Sequence, residues 1–290
     1  MADFITRFAP SPTGLLHLGH AYSALCAFGA ARGAGGRFLL RIEDIDQTRC
    51  RPAYEAAISE DLAWLGLEWE TPVRRQSEHF ADYAAALHRL RDAGLVYRCF
   101  KTRKEVADEI ARAPHLAADG PEGPQYIGSA LPAAEEEALI ARDAPFAWRL
   151  SMSAAQSQLG EAFDQLDFAE EGSDAKGASG RIKARPQIFG DPIIARKDAG
   201  TSYHLAAVHD DALQGVTHVI RGLDLFASTH LHRLLQALLD VATPVYRHHR
   251  LLADASGKRF AKRDRASTLR ALRDEGASPS DIRRQLGFNW

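Results

Sequence analysis

Residues 7 to 20 read Arg-Phe-Ala-Pro-Ser-Pro-Thr-Gly-Leu-Leu-His-Leu-Gly-His. Gly14, His17, Gly19 and His20 could serve a phosphorylated ligand, since glycine lets a ligand approach the backbone and imidazole donates to oxygen. Such a segment suits the start of a helix, where free N–H groups favour anions. A second run, Leu39 to Arg49, places Glu43, Asp44 and Asp46 just after an apolar stretch. In an extended chain Glu43 and Asp44 point to opposite faces, so either can meet a ligand ammonium or cap the next helix. The third run extends from Tyr203 to Arg221-Gly-Leu-Asp224. An arginine directly after a β-branched run stands at a strand end, placed to grip a carboxylate or to pair with Asp224. Arg7 holds the corresponding place after the first apolar residues, and Tyr203 alone reads as a core aromatic. Fourth, Gly257-Lys-Arg-Phe-Ala-Lys-Arg-Asp264 puts Lys262 on a glycine-hinged basic turn. A mobile cation there could stabilise charge developing on a departing phosphate.

The intervening sequence supplies elements able to position these groups. Phe4 to Phe8 reads as a strand, a helix runs from near His17 through Ala21, Leu25 and Phe28, and Arg37 to Ile42 reads as a buried strand. Strand, loop, helix and strand within about forty residues make a βαβ unit and open a parallel sheet. Amphipathic helices follow, one burying Ile58, Leu62 and Leu65, the other Phe80, Tyr83, Leu87 and Leu90, with Gly94 as a stop. Sheet-like chain returns at Ile188-Phe189, Pro192 to Ile194 and Val216 to Ile220. Tyr203 starts a helix, and Ser228 or Thr229 caps another carrying Leu231, Leu234, Leu235 and Leu238. The expected fold is α/β, a Rossmann-type parallel sheet whose halves, 1–98 and 186–242, are split by an inserted subdomain at 99–185. A short helical and basic region at 243–290 follows. The tract from Glu170 to Gly180 reads as a mobile loop.

Composition narrows the classes. The 290 residues are 46% hydrophobic and 26% charged with a net charge of -2, ordinary for a globular chain with a real core. Neither an apolar run long enough to span a membrane nor a secretory leader is visible, so a cytoplasmic protein with no membrane partner is expected. Cys26, Cys50 and Cys99 are odd in number and scattered, which argues against a disulfide framework. From Arg247 to Arg273 nine Lys/Arg stand against two Asp up to Asp264, a solvated face or an anion-binding surface.

Taken together the four runs resemble the class I aminoacyl-tRNA synthetases. Residues 7 to 20 are similar to the HIGH signature in its glutamyl and glutaminyl branch, and Arg41 to Arg49 resembles that branch's RIEDTD stretch with Ile45 in place of threonine. The 257–264 run resembles a degenerate KMSKS loop. The resemblance implies glutamate binding by Arg7, Ala9, Ser11, Glu43, Tyr203 and Arg221, with Glu43 on the amino group and either arginine on the side-chain carboxylate. It implies ATP binding by Gly14, His17, Gly19, His20 and Lys262, with His17, His20 and Lys262 catalytic and Mg²⁺ arriving with ATP. Two guanidinium groups suit a dicarboxylate, whereas glutamine would set a neutral amide against a cation.

The chain ends 28 residues after Lys262, where a full glutamyl-tRNA synthetase continues into an anticodon-binding domain. This resembles the glutamyl-Q tRNA(Asp) synthetases, truncated paralogues that attach glutamate to the queuosine base at the wobble position of tRNA(Asp). L-glutamate, ATP and the tRNA(Asp) anticodon stem-loop are therefore the expected partners of a monomer. Many members of that family carry zinc on Cys-x-Cys and Tyr-x-x-x-Cys; here only Cys99 and Tyr126 match, Lys101 and Ala130 do not, and no zinc is expected. A minimal enzyme charging the 3′ end of tRNA(Glu) and a non-catalytic glutamate- or tRNA-binding paralogue remain open at this point.

Overall fold

A computed structural model describes residues 3–112, 118–172, 179–252 and 268–290. The first half runs β1 (Ile5–Phe8), α1 (Leu18–Gly33), β2 (Arg37–Ile42), α2 (Pro52–Trp64), β3 (Glu70–Arg75), α3 (Phe80–Asp92) and β4 (Val96–Cys99). β1, β2 and β3 form a parallel sheet with Ile5 opposite Arg37. The expected βαβ unit is present. Its tight return after α1 needs Gly36, where a Cβ would lie 2.1 Å from the Phe4 carbonyl oxygen.

The middle of the chain holds α4 (Arg103–Arg112), β5 (Asp119–Gly120), β6 (Gly123–Pro124), α5 (Ala133–Ile140) and β7 (Ala147–Leu150). Then come α6 (Met152–Leu159), α7 (Glu161–Asp164), β8 (Asp167–Glu170) and β9 (Gly180–Lys183). The remainder is β10 (Ile193–Ala195), α8 (Tyr203–Leu213), β11 (His218–Gly222), α9 (Phe226–Leu238), β12 (Val245–His249), α10 (Leu269–Asp274) and α11 (Pro279–Gln285). β7 lies between β4 and β10 in an antiparallel sheet, while β8 pairs parallel with β12, which pairs parallel with β11. Segment 99–185 thus shares sheets with both of its neighbours. Thr217 stitches β11 to β1, its N–H donating to the Ile5 carbonyl and its Oγ1 accepting from the Ile5 N–H.

Two local expectations fail for identifiable reasons. Ile188-Phe189 is not a strand; Pro186 opens a 3-10 helix over Pro186–Phe189, because its fixed φ suits a helical first turn. Neither Ser228 nor Thr229 caps α9, which starts at Phe226; Thr229 is a buried residue within the helix whose hydroxyl accepts from Arg221. Of the Glu170–Gly180 tract read as a mobile loop, the two end residues are antiparallel ladder partners and Glu170 is buried; residues 173–178 of that tract lie outside the described residues.

Two hydrophobic cores hold the halves. One gathers α3, α8, α9 and the β4–β7–β10 sheet around Leu90, Ile194, Leu205 and Leu235. The other packs α1 and α2 on β1 and β2 and receives Leu269, Ile282 and Leu286 from the C-terminal helices. Among the described residues no helix is long and apolar enough to cross a membrane.

Candidate active site

The carboxyl ends of β1, β2, β11 and β12 open on one cavity of about 590 Å³, where ligands of α/β sheets commonly bind. Of the residues singled out in the sequence, Arg7, Ala9, Ser11, His17, Gly19, His20, Glu43, Tyr203 and Arg221 line it. Gly14 does not, and a Cβ there would meet nothing within 4 Å. Lys262 and the rest of the 257–264 turn lie outside the described residues.

His17 caps α1 in place of the usual hydroxyl or carboxylate. Its Nδ1 accepts from the Gly19 N–H at 3.1 Å, His20 Nδ1 accepts from the His17 N–H at 3.2 Å, and the two rings stack at 3.8 Å. Gly19 is required by this packing, since a Cβ would come within 2.9 Å of the His17 ring. Both histidines and the helix start therefore face the cavity as a donor-rich, anion-favouring wall.

Arg7 and Glu43, which also line the cavity, sit among buried charges that are mostly paired. Arg7 donates from Nε and Nη2 to the two Asp211 oxygens at 2.8 and 3.3 Å. Arg41, fully buried, donates to Asp211, Gln214 and Glu43. Burial opposes ionisation of Asp211, yet Arg7 and Arg41 hold its carboxyl at about 2. For Glu43 burial prevails, pushing its carboxyl upward against the pull of Arg41 and Arg7. Glu43 faces the cavity as expected, while Asp44 turns away and takes the Ser77 N–H and hydroxyl. Asp210 accepts from Arg74, Gln76 and the Tyr83 hydroxyl beneath this layer.

Arg221 differs from Arg7 and Arg41. It is 4% exposed, and its hydrogen-bond partners among the described residues are all neutral: Nε donates to His248 Nε2 (3.2 Å), Nη1 to the Tyr203 hydroxyl (3.2 Å) and toward His232 Nδ1 (3.4 Å), and Nη2 to Thr229 (2.7 Å). Burial lowers both His248 and His232, so both rings are neutral acceptors. A guanidinium surrounded by dipoles and opening on a cavity has room for an incoming carboxylate, with the Tyr203 hydroxyl free to turn its own proton toward that anion.

The chain matches the family model for the catalytic domain of class I tRNA synthetases (E and Q) over residues 3–288. It is 49% identical to the glutamyl-Q tRNA(Asp) synthetase of Rhodobacter capsulatus over 98% of its own length and all of that protein. The chain belongs to the glutamyl-Q tRNA(Asp) synthetase family, within the class I tRNA synthetases. A second relative of the same name, from Nocardia farcinica, is 40% identical over 95% of this chain and 81% of its own. Among solved structures, a glutamate tRNA ligase from Elizabethkingia meningosepticum in complex with its amino acid is similar, with a TM-score of 0.77 and 26% identity over 98% of this chain. The chain spans 60% of that ligase.

The zinc positions of the family can be tested here on the donor set. Cys99 and Tyr126 are buried against Tyr97 with Val106 and Ile110 around them. Lys101 stands where a second thiolate would be needed; its ammonium pairs with Glu109 and lies over the Tyr126 ring at 5.6 Å. A cation and a methyl at positions 101 and 130 cannot complete a tetrahedral site, so these residues do not fit zinc. Among the described residues no group of three or more His, Cys, Asp or Glu could hold a metal.

Sequence reasoning missed Arg41, Asp211, Asp210, Thr229, His232 and His248. The signal was available for some: Thr229, His232 and Gln236 lie three and four residues apart on a helix otherwise filled with buried leucines, a polar stripe that must face something polar. His249 and Arg250, at the end of β12, also line the cavity.

Proposed function

We propose that this chain activates L-glutamate with ATP and transfers it to the queuosine base of tRNA(Asp), acting as a monomer. The observation carrying the reading of the amino-acid pocket is Arg221, a buried cation in the cavity wall whose hydrogen-bond partners among the described residues are neutral. The acceptor reading rests on the full-length relatives, which are named for it.

In the first step an oxygen of the glutamate α-carboxylate attacks the α-phosphorus of ATP, and the bond to the β-phosphate breaks as pyrophosphate leaves. Glu43 takes the substrate ammonium, and Arg221 with Tyr203 takes one carboxylate. His17, His20 and the start of α1 donate to phosphate oxygens, and Lys262 accompanies the leaving pyrophosphate with Mg²⁺ brought by ATP. In the second step a hydroxyl of the cyclopentene diol attacks the mixed anhydride and AMP leaves. The protein supplies orientation and electrostatics, with no covalent enzyme intermediate.

The experiment is acylation with labelled glutamate. tRNA(Asp) trimmed of its 3′-terminal adenosine should still be labelled, and tRNA(Asp) from cells unable to make queuosine should not. Labelling that disappears on trimming, with tRNA(Glu) the better substrate, would establish 3′-end charging instead.

A further inference from the structure

Arg221 is reached from the far side by a line of three side chains that no role above employs. His232 Nε2 lies 3.1 Å from His204 Nδ1, and His204 Nε2 lies 2.7 Å from Glu122 Oε1. His204 and His232 are buried, while Glu122 sits in the turn between β5 and β6, more than half exposed. That turn is packed on the 3-10 helix of residues 186–189, with the Ile188 carbonyl 2.7 Å from where a Gly120 Cβ would stand.

The chemistry of the donors allows one direction for this line. A guanidinium only donates, so His232 Nδ1 must accept from Arg221 and carry its proton on Nε2. That proton goes to His204 Nδ1, which leaves the His204 proton on Nε2, aimed at the Glu122 carboxylate. A proton added to either ring, or the other tautomer of either, sets N–H against N–H. The Glu122 carboxylate thus fixes His204, His204 fixes His232, and His232 presents a lone pair to Arg221. The second arm has the same logic, with His248 donating from Nδ1 to Glu170 at 2.5 Å and accepting from Arg221 on Nε2. Arg221 is aimed from two sides by imidazoles whose tautomers are set by carboxylates that do not themselves touch it.

We propose that Glu122, His204 and His232 form a relay of positioning residues through which the β5–β6 turn sets the direction of Arg221 and hence the binding of glutamate. The proposal rests on the reading of Arg221 as the carboxylate seat. Its consequence is that glutamate affinity depends on a half-exposed residue of the middle segment that lines a second, 300 Å³ cavity beside the first.

The test compares Glu122→Ala with Glu122→Gln, which keeps an acceptor oxygen, and with His204→Phe, in glutamate-dependent ATP–pyrophosphate exchange. Glu122→Ala and His204→Phe should raise KM for glutamate about tenfold, the scale of one hydrogen bond to a charged group, with KM for ATP unmoved. Glu122→Gln should stay within about twofold of wild type on the same scale. Ring ¹⁵N spectra of the wild-type protein should show both His204 and His232 protonated on Nε2 alone, with the His204 pattern changed in Glu122→Ala. Equal effects of the Ala and Gln variants, a KM for ATP that moves with that for glutamate, or a His232 proton on Nδ1 would overturn the relay. Absence of any glutamate-driven exchange in wild type would instead overturn the proposed activity, and the ¹⁵N spectra would still judge the relay.

Discussion

Arg7 and Arg221 stand at strand ends on the same cavity, and they are held in opposite ways. Arg7 is matched by Asp211, which also receives Arg41, so that part of the wall is a closed lattice of opposite charges. Arg221 is equally buried but rests on hydroxyls and neutral imidazoles, with Glu170 one ring away and Glu122 two. Removing a buried charge that is directly paired strands its partner, whereas removing one held by dipoles strands no opposite charge. Residue type and strand position, which are alike for the two arginines, do not distinguish them; their neighbours do.

The largest effect should come from breaking the closed side. Asp211→Asn leaves Arg7 and Arg41 without their shared carboxylate and should lower stability at neutral pH by about 3–5 kcal/mol in urea unfolding. The sign follows from the depressed Asp211 carboxyl: its contribution is present above the ordinary aspartate range and is lost as pH falls through about 2. The gap between variant and wild type should therefore be constant above about pH 4 and narrow below it. A gap that stays constant down to pH 2 would deny that Asp211 is held by the two arginines.

On the open side, Arg221→Gln should lower kcat/KM for glutamate in pyrophosphate exchange by roughly 10²-fold or more, with KM for ATP little changed. A KM for ATP rising in step would move Arg221 from the amino-acid pocket to the nucleotide.

Asp61 offers a smaller test of the same contrast elsewhere in the molecule. It is fully buried on α2, neither of its oxygens has a hydrogen-bond partner, and Arg273 lies 3.9 Å away. Burial pushes its carboxyl up to about 6, so its ionised form weakens the fold: stability is greatest at low pH and is lost as pH rises through about 6. Asp61→Asn should raise stability at pH 7.5 by on the order of 1–2 kcal/mol and flatten the profile between about pH 4 and 6. The smallest effect concerns the start of α1, where Gly19→Ala presses on the His17 ring and should raise KM for ATP about tenfold without affecting KM for glutamate if that helix start receives phosphate as proposed.

The sequence made local features legible. β1, α1 and β2 follow from apolar runs punctuated by glycine, and the cavity-lining Arg7, His17, His20, Glu43 and Arg221 sit beside those punctuation points. What escaped was set by distance along the chain. Arg7 and Asp211 are 204 residues apart and Arg41 and Asp211 are 170, and no local pattern announces such partners. The reading of Thr229 as a cap failed for a related reason: a threonine before a leucine-rich helix is a good cap by local rules, but a buried guanidinium on β11 claimed its hydroxyl. Pro186 overrode the β-branched signal of the residues after it because its fixed φ acts locally.

The contrast between the paired and the open arginine is tested most directly by thermal unfolding of wild type and Arg221→Gln, each with and without saturating L-glutamate. A ligand that binds only the folded chain raises Tm by mass action. Wild type should be stabilised by glutamate and far less by glutamine. Arg221→Gln should lose less Tm than Asp211→Asn, since what it leaves unpaired are hydroxyls and neutral imidazoles rather than a charge, and should gain nothing from glutamate. A variant that glutamate stabilises as fully as wild type, or one that without ligand is destabilised as much as Asp211→Asn, would contradict the assignment of Arg221 as an open seat for a carboxylate.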